Sequence, residues 1–251
     1  MSVTIELMGG LGNQLFQLAF LDYVSKSNEV IPLVTSKNIT SKHSTLNYFD
    51  SIFKNWNNIQ TNTQCNILLQ ENSYKYQEWN LDKSVNIRIC GYFQNYRYIS
   101  PDFVSNLNFS DLILSKYPEI GNSVFLHVRG GDYLHPDHSW LHNVVTDTYY
   151  QQAISEFPEN TKFVVFTNDK GYALSKSFIS KINYQFIDEN EIDSLYLMSK
   201  CAGGICANST FSWWGAYLNP NRKLILPSKW FTDPNVYING YFFDGCTVIN
   251  I

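Results

Sequence analysis

The chain has 251 residues, 44% of them hydrophobic and 16% charged, which excludes a disordered or fibrous protein and leaves room for one large domain or two small ones. A formal net charge of -4, with no cluster of Lys or Arg, argues against nucleic acid as a partner. Five cysteines without a C-x-x-C pair predict neither a disulfide framework nor a zinc site and fit a reducing compartment.

The first predicted element is a strand over Val3–Leu7, entered directly from Met1 with no signal-peptide pattern. Met8 to Gly12 breaks it, and a helix is predicted from Asn13 to about Ser27. From Val30 to Tyr117 short apolar runs such as Ile67–Leu69 and Ile87–Tyr92 alternate with Asn-rich polar stretches, and no topology follows. Beyond Pro118 the pattern sharpens, with strands at Val124–Val128, Phe163–Thr167, Tyr184–Ile187, Gly204–Ala207 and Leu224–Leu226. Helices are predicted over Asp147–Phe157, Glu191–Lys200 and Thr210–Leu218. Alternating strands and helices predict an α/β fold with parallel sheets, divided into residues 1–117 and 118–251, with a ligand crevice between the halves. No apolar run approaches the roughly 20 residues of a membrane helix, so a cytoplasmic enzyme of bacterial or viral type is expected, with peripheral membrane association left open.

Several constellations could carry chemistry. Gly9-Gly10-Leu11-Gly12-Asn13-Gln14, between a strand and a helix, could bring backbone N–H groups to an anion or serve only as a tight connection. His127-Val128-Arg129-Gly130-Gly131-Asp132 leaves the carboxyl end of an apolar strand, where Arg129 could hold a phosphate or pair with Asp132 as a structural ion pair. His135, His138 and His142 lie near Asp132 and Asp137, but the segment reads as a loop and no D-x-D pair is present, so no metal is expected. Asp169 in Phe166-Thr167-Asn168-Asp169 could accept from a guanine or cap a helix, and the cap is the better reading of the residues alone. Asn208-Ser209-Thr210-Phe211-Ser212-Trp213-Trp214-Gly215 gathers hydroxyls and N–H groups at a helix start, with Trp213 and Trp214 as core. Asp188-Glu189-Asn190-Glu191 reads as the start of the following helix.

In this order, Gly9–Phe16, His127–Tyr133 and Asn208–Tyr217 resemble the three motifs of the α1,2-fucosyltransferase family, glycosyltransferase family 11. Gly91–Tyr98, His142 followed by Tyr149-Tyr150, and Leu195–Cys201 resemble further segments of it. The resemblance implies a GT-B fold of two Rossmann-like domains, an acceptor-side first half and a GDP-sugar-binding second half. It implies inverting, metal-independent transfer of fucose from GDP-β-L-fucose to the 2-hydroxyl of a galactose-terminated glycan, with no cofactor. On that basis Arg129 would hold the β-phosphate, His127 and Asp169 would recognise guanine, Ser209, Thr210, Phe211 and Ser212 would line the diphosphate, and Gly10, Gly12 and Asn13 would form the opposite wall. Gln14 and His142 are assigned to the acceptor or a loop, and Asp132 is the candidate base. Three positions depart from the family pattern: Gly130 stands where a second arginine is expected, Asn168 replaces an aspartate, and Gly203 lies where a histidine is expected nearby. The alternatives are a catalytically weakened glycan- or nucleotide-binding protein of this fold, or an inverting transferase that uses another nucleotide sugar.

Overall fold

The computed structural model describes residues 1–35, 46–61, 65–142, 145–219 and 222–251. The chain forms two compact units, Met1–Phe109 with Asn239–Tyr241, and Ser110–Ile238 with Phe242–Ile251.

The first unit contains β1 (Ser2–Ile5), α1 (Leu11–Asn28), β2 (Ile31–Thr35), β3 (Gln60–Thr61), β4 (Ile67–Gln70), β5 (Ile87–Cys90) and α2 (Pro101–Ser105). Its strands form one parallel sheet in the order β3-β2-β1-β5-β4. β1 is central and buried at all four positions, as a parallel strand covered on both faces must be. The glycine turn then starts α1: Gly9 has φ +76°, a left-handed conformation that costs glycine little, and an added Cβ would run into the Asn13 side chain. α1 packs through Phe20, which stacks on Phe93 at 3.8 Å and meets Trp79 and Tyr98 edge-on. Buried Asn28 donates to the carbonyls of Val24 and Trp79 and accepts from Leu81 N–H, so one amide pins the long segment between β4 and β5.

The second unit contains α3 (Leu112–Lys116), β6 (Val124–Val128), α4 (Pro136–His142), α5 (Asp147–Ser155), β7 (Lys162–Thr167), α6 (Lys170–Leu174), β8 (Asn183–Phe186), α7 (Glu191–Lys200), β9 (Gly203–Ile205), α8 (Thr210–Tyr217), β10 (Lys223–Pro227) and β11 (Cys246–Ile249). Its parallel sheet has the order β11-β10-β9-β6-β7-β8. The chain runs outward from β6 to β8, then returns to the other side of β6 as β9, so the winding reverses between β6 and β9. Val124, Leu126, Val128 and Val165 pack against Tyr149, Tyr150 and Ala153 of α5. Elsewhere, Gly204 admits the Phe125 ring, where any Cβ would collide with it, and Gly215 lets α8 approach Met198 of α7. Trp213 and Trp214 are fully buried, as the sequence predicts.

The unit boundary falls at Phe109/Ser110, ahead of the 117/118 boundary read from the sequence. Side chains explain the difference: Tyr196 donates to Asp111, and Tyr117 donates to Glu189 at 2.6 Å, which ties residues 111–117 to α7 and its approach. The turn Asn239–Tyr241 belongs to the first unit, where the Tyr241 hydroxyl donates to Gln94. Among the described residues no helix is long and apolar enough to cross a membrane.

Candidate functional site

Open parallel sheets bind ligands beyond the carboxyl ends of their strands, at the point where the winding reverses. In the second unit that point lies between β6 and β9, and the two motifs that leave these strands meet there. Arg129 follows β6. Its Nη2 donates to Asp132 Oδ1 at 2.6 Å, its guanidinium lies 4.9 Å from the centre of the Tyr133 ring, and its Nε is buried without a partner. Tyr133 in turn stacks on His142 at 4.5 Å and donates to the Asn208 carbonyl at 3.3 Å. Asn208 Nδ2 donates to the carbonyls of His142 and Trp230 at 2.9 and 3.0 Å. The β6 loop, α4 and the turn before α8 are therefore cross-tied around a recess lined by Arg129, Tyr133, Tyr150, Tyr172, Ala207 and Asn208.

Two neighbouring tyrosines fix the strand ends beneath this recess. Tyr149 donates to the Cys206 carbonyl at 2.6 Å and lies 3.4 Å from that of Ile225, while Tyr150 donates to the His127 carbonyl at 2.9 Å. Burial pushes both phenols well above their ordinary range. His127 is 3% exposed, 5.9 Å from the Phe211 ring, with Nδ1 sealed and unpartnered. Burial, reinforced by the Arg129 charge, lowers its pKa to about 3, so it is a neutral ring beneath the start of α8.

The two charge departures meet each other. Gly130 N–H donates to Asn168 Oδ1 at 3.0 Å, and Asn168 Nδ2 returns a bond to the Gly130 carbonyl at 3.2 Å while lying 3.5 Å from Asp132 Oδ1. A neutral, two-point amide contact thus occupies the place where the family pattern puts an arginine and an aspartate. At Gly203 a Cβ would sit 2.8 Å from the Lys223 carbonyl oxygen, so the backbone there has no room for a side chain; nothing in the structure explains the histidine missing nearby.

Several expectations change with the structure. Asp132 is engaged by Arg129 and Asn168, which fits orientation of the guanidinium better than proton abstraction. Asp169 is the N-cap of α6, accepting from Tyr172 N–H at 2.9 Å. Ser209 caps α8 by position but makes no side-chain cap bond, and Thr210 and Phe211 follow it half-buried. Ser212 is fully buried and its hydroxyl lies between the Ala207 and Ser209 carbonyls at 3.4 and 3.3 Å, so it cannot line a diphosphate. Residues 136–142 form a helix, not the predicted loop, because proline is tolerated in a first turn. His135 and Asp137 form an exposed pair at 3.4 Å, and the His138 side chain lies outside the described part. Among the described residues no group of three His, Cys, Asp or Glu could hold a metal ion.

The remaining sequence-derived residues sit at the carboxyl edge of the first unit's sheet. Gly10 is the N-cap of α1, Gly12 lies in its first turn, and Asn13 Oδ1 accepts from Gln94 Nε2 at 2.9 Å. Gln14 is 2% exposed and donates to the Gly9 carbonyl at 2.9 Å; it braces the turn and does not face an acceptor. Sequence reading missed Gln17, fully buried, which accepts from Met8 N–H at 2.8 Å and donates to the Gly91 carbonyl at 3.2 Å. The signal was a polar residue on the apolar face of a helix. It also missed Glu71, which accepts from the N–H groups of Tyr92 and Phe93 at 2.8 and 2.9 Å. Burial pushes this carboxyl up to about 7 against the opposing pull of those bonds.

The family model described as Glycosyl transferase family 11 matches residues 1–237. The chain belongs to this family. Among its relatives, the Escherichia coli O-antigen biosynthesis glycosyltransferase WbnK is 30% identical, over 91% of this chain and 95% of the relative. An alpha-1,2-colitosyltransferase of Escherichia coli is also 30% identical, over 91% and 92% respectively. The solved fucosyltransferase NodZ from Bradyrhizobium superposes with a TM-score of 0.54 at 14% identity, covering 85% of this chain and 91% of NodZ, which shows a shared fold of GT-B type. The family 11 chain is thus a glycosyltransferase in which Arg129, Asp132, His127, His142 and the α8 start gather in one unit, and Gly10, Gly12, Asn13 and Gln14 in the other.

Proposed function

We propose that this family 11 glycosyltransferase moves L-fucose from GDP-β-L-fucose to the 2-hydroxyl of a galactose-terminated glycan, with inversion and without a metal ion. The observation that carries the reading is Arg129, delivered by β6 to the reversal point of the sheet with its Nε unpartnered and Asp132 holding its Nη2. In the reaction the anomeric carbon–phosphate oxygen bond breaks as the acceptor oxygen attacks from the opposite side, and the hydroxyl proton leaves to a base. Negative charge then grows on the departing GDP. A preoriented guanidinium in a partly buried recess stabilises that charge without reorganising. Asp132 sets the orientation of Arg129 in this reading. The α8 start, uncapped by the Ser209 side chain, adds the positive end of a helix to the same edge.

The α1,2 linkage and galactose acceptor are supported by the motif resemblance, and a relative named an alpha-1,2-colitosyltransferase supports the linkage while favouring colitose as a second donor sugar. The cytoplasm is the proposed workplace. The test is acceptor-dependent GDP release in EDTA, with GDP-fucose and galactose-terminated acceptors, for the wild type and Arg129→Ala. Release in the wild type with a fall in kcat/KM of roughly 100-fold or more in the variant is the expected result. Equal activity in Arg129→Ala, or a requirement for a divalent ion, overturns the assignment. Saturable GDP binding without turnover on any acceptor points instead to the binding-protein alternative.

A further inference from the structure

The recess beside Arg129 holds a polar side chain that no sequence motif marks. Tyr172, in α6, lines it, and Asp169 fixes its backbone N–H. The ring lies against position 130, where an added Cβ would stand 2.7 Å from Tyr172 Cδ1 and 3.1 Å from its Cβ. Contacts of 2.7 Å are below any carbon–carbon approach, so the ring keeps this position only because residue 130 has no side chain. Against the same ring, at 4.0 Å from its centre, stands the Lys176 ammonium, whose side chain is 15% exposed and whose Nζ lies 3.3 Å from Asp147 Oδ1. Burial alone would lower the Lys176 pKa, but Tyr172 and Asp147 more than offset it, so the ammonium stays charged. The same ammonium hydrogen-bonds the Tyr172 side chain, whose phenol oxygen accepts there and keeps its own O–H as a donor.

A recess that offers an unpartnered guanidinium nitrogen, an unspent phenol donor and a cation behind the phenol ring has the chemistry to bind a phosphate oxygen. We propose that Tyr172 is a donor-binding residue: its hydroxyl donates to the diphosphate of the nucleotide sugar held by Arg129, and Gly130 is the residue that lets the ring in. The inference rests on the donor-site reading above and extends it to a residue pair, Gly130 and Tyr172, matched by volume. Asn168 completes the arrangement by holding the Gly130 peptide at both its N–H and its carbonyl.

The test uses the full chain and two competitors of GDP binding, inorganic pyrophosphate and guanosine. Tyr172→Phe keeps the ring and removes the hydroxyl, and Lys176 keeps Asp147 as a partner, so the variant should fold with at most a small drop in melting temperature. Its Kd for GDP and Ki for pyrophosphate should rise about tenfold or more, the loss expected for a hydrogen bond to a charged group, with the Ki of guanosine unchanged. Gly130→Ala should weaken GDP binding when Tyr172 is present and have little further effect in a Tyr172→Ala background. Wild-type affinity for GDP and pyrophosphate in Tyr172→Phe, with Arg129→Ala still defective, overturns the role of Tyr172 and leaves the donor site standing. Equal losses of guanosine and pyrophosphate also overturn it, because the ring would then position the base. Failure of the wild type to bind GDP at all removes the donor-site reading and this inference with it.

Discussion

Replacing His127 with Asn should change how stability depends on pH. In the folded protein the imidazole pKa lies near 3, against an ordinary value of 6.5. The folded value is depressed, so as pH falls the unfolded chain takes up the proton first. The neutral ring therefore supports folding fully above about pH 6.5, and that support is lost progressively down to about pH 3. Each pH unit in this window costs about 1.4 kcal/mol, so at pH 5 the loss is about 2 kcal/mol, a large part of a typical folding free energy of about 5–15 kcal/mol. Urea unfolding at pH 7.5, 6 and 5, for the wild type and His127→Asn, reads this directly. The variant should be the less stable at pH 7.5, because the space beside Phe211 is refilled imperfectly, but the gap should narrow by about 2 kcal/mol at pH 5. Glu71 titrates in the same range with the opposite sign in both proteins and cancels in the difference. A gap that stays constant across the three pH values would refute the claim that His127 is held neutral by burial.

Glu71 gives the complementary prediction. Its folded pKa of about 7 lies above the ordinary 4.5, so the stability it contributes is present below pH 4.5 and lost as pH rises through 7. Glu71→Gln should therefore raise the unfolding midpoint at pH 8 and leave it nearly unchanged at pH 4.5, by differential scanning calorimetry; an equal shift at both pH values would contradict this. Gln17→Leu strips partners from Met8 N–H and the Gly91 carbonyl and should cost about 2–4 kcal/mol in urea unfolding, more than a surface substitution of similar size.

The second unit was readable in sequence because β6, β7 and β10 are largely buried apolar runs of five or six residues, and α5 and α7 carry a helical pattern between strands. Val124–Val128 and Glu191–Lys200 occur in the structure with the boundaries read for them. The first unit resisted. β3 is two residues long, β4 lies at the sheet edge with Ile67 and Leu68 exposed, and β5 alternates, with Ile87 and Ile89 buried around exposed Arg88, over only four residues. For the candidate site, Arg129 and the α8 turn were legible because each sits where an apolar strand stops. What could not be read was the use of each polar atom. Asp169 and Ser212 have the right chemistry for a ligand but spend it on their own backbone, while Gln17, Glu71 and Tyr172 matter through partners 9 to 74 residues distant or through space left by a glycine.

The adjacent phenols of α5 have a dynamic consequence. Tyr149 and Tyr150 attach one helix to the chain at His127, at the end of β6, and to Cys206, just past β9. Fraying of either strand end would strand a buried hydroxyl in an apolar core, so the edge that carries Arg129 and the α8 turn cannot loosen one strand at a time. It opens only when α5 lifts from the sheet. Mobility needed for substrate entry and product release must then come from side chains and from the segments beyond the strands, over a floor that stays closed.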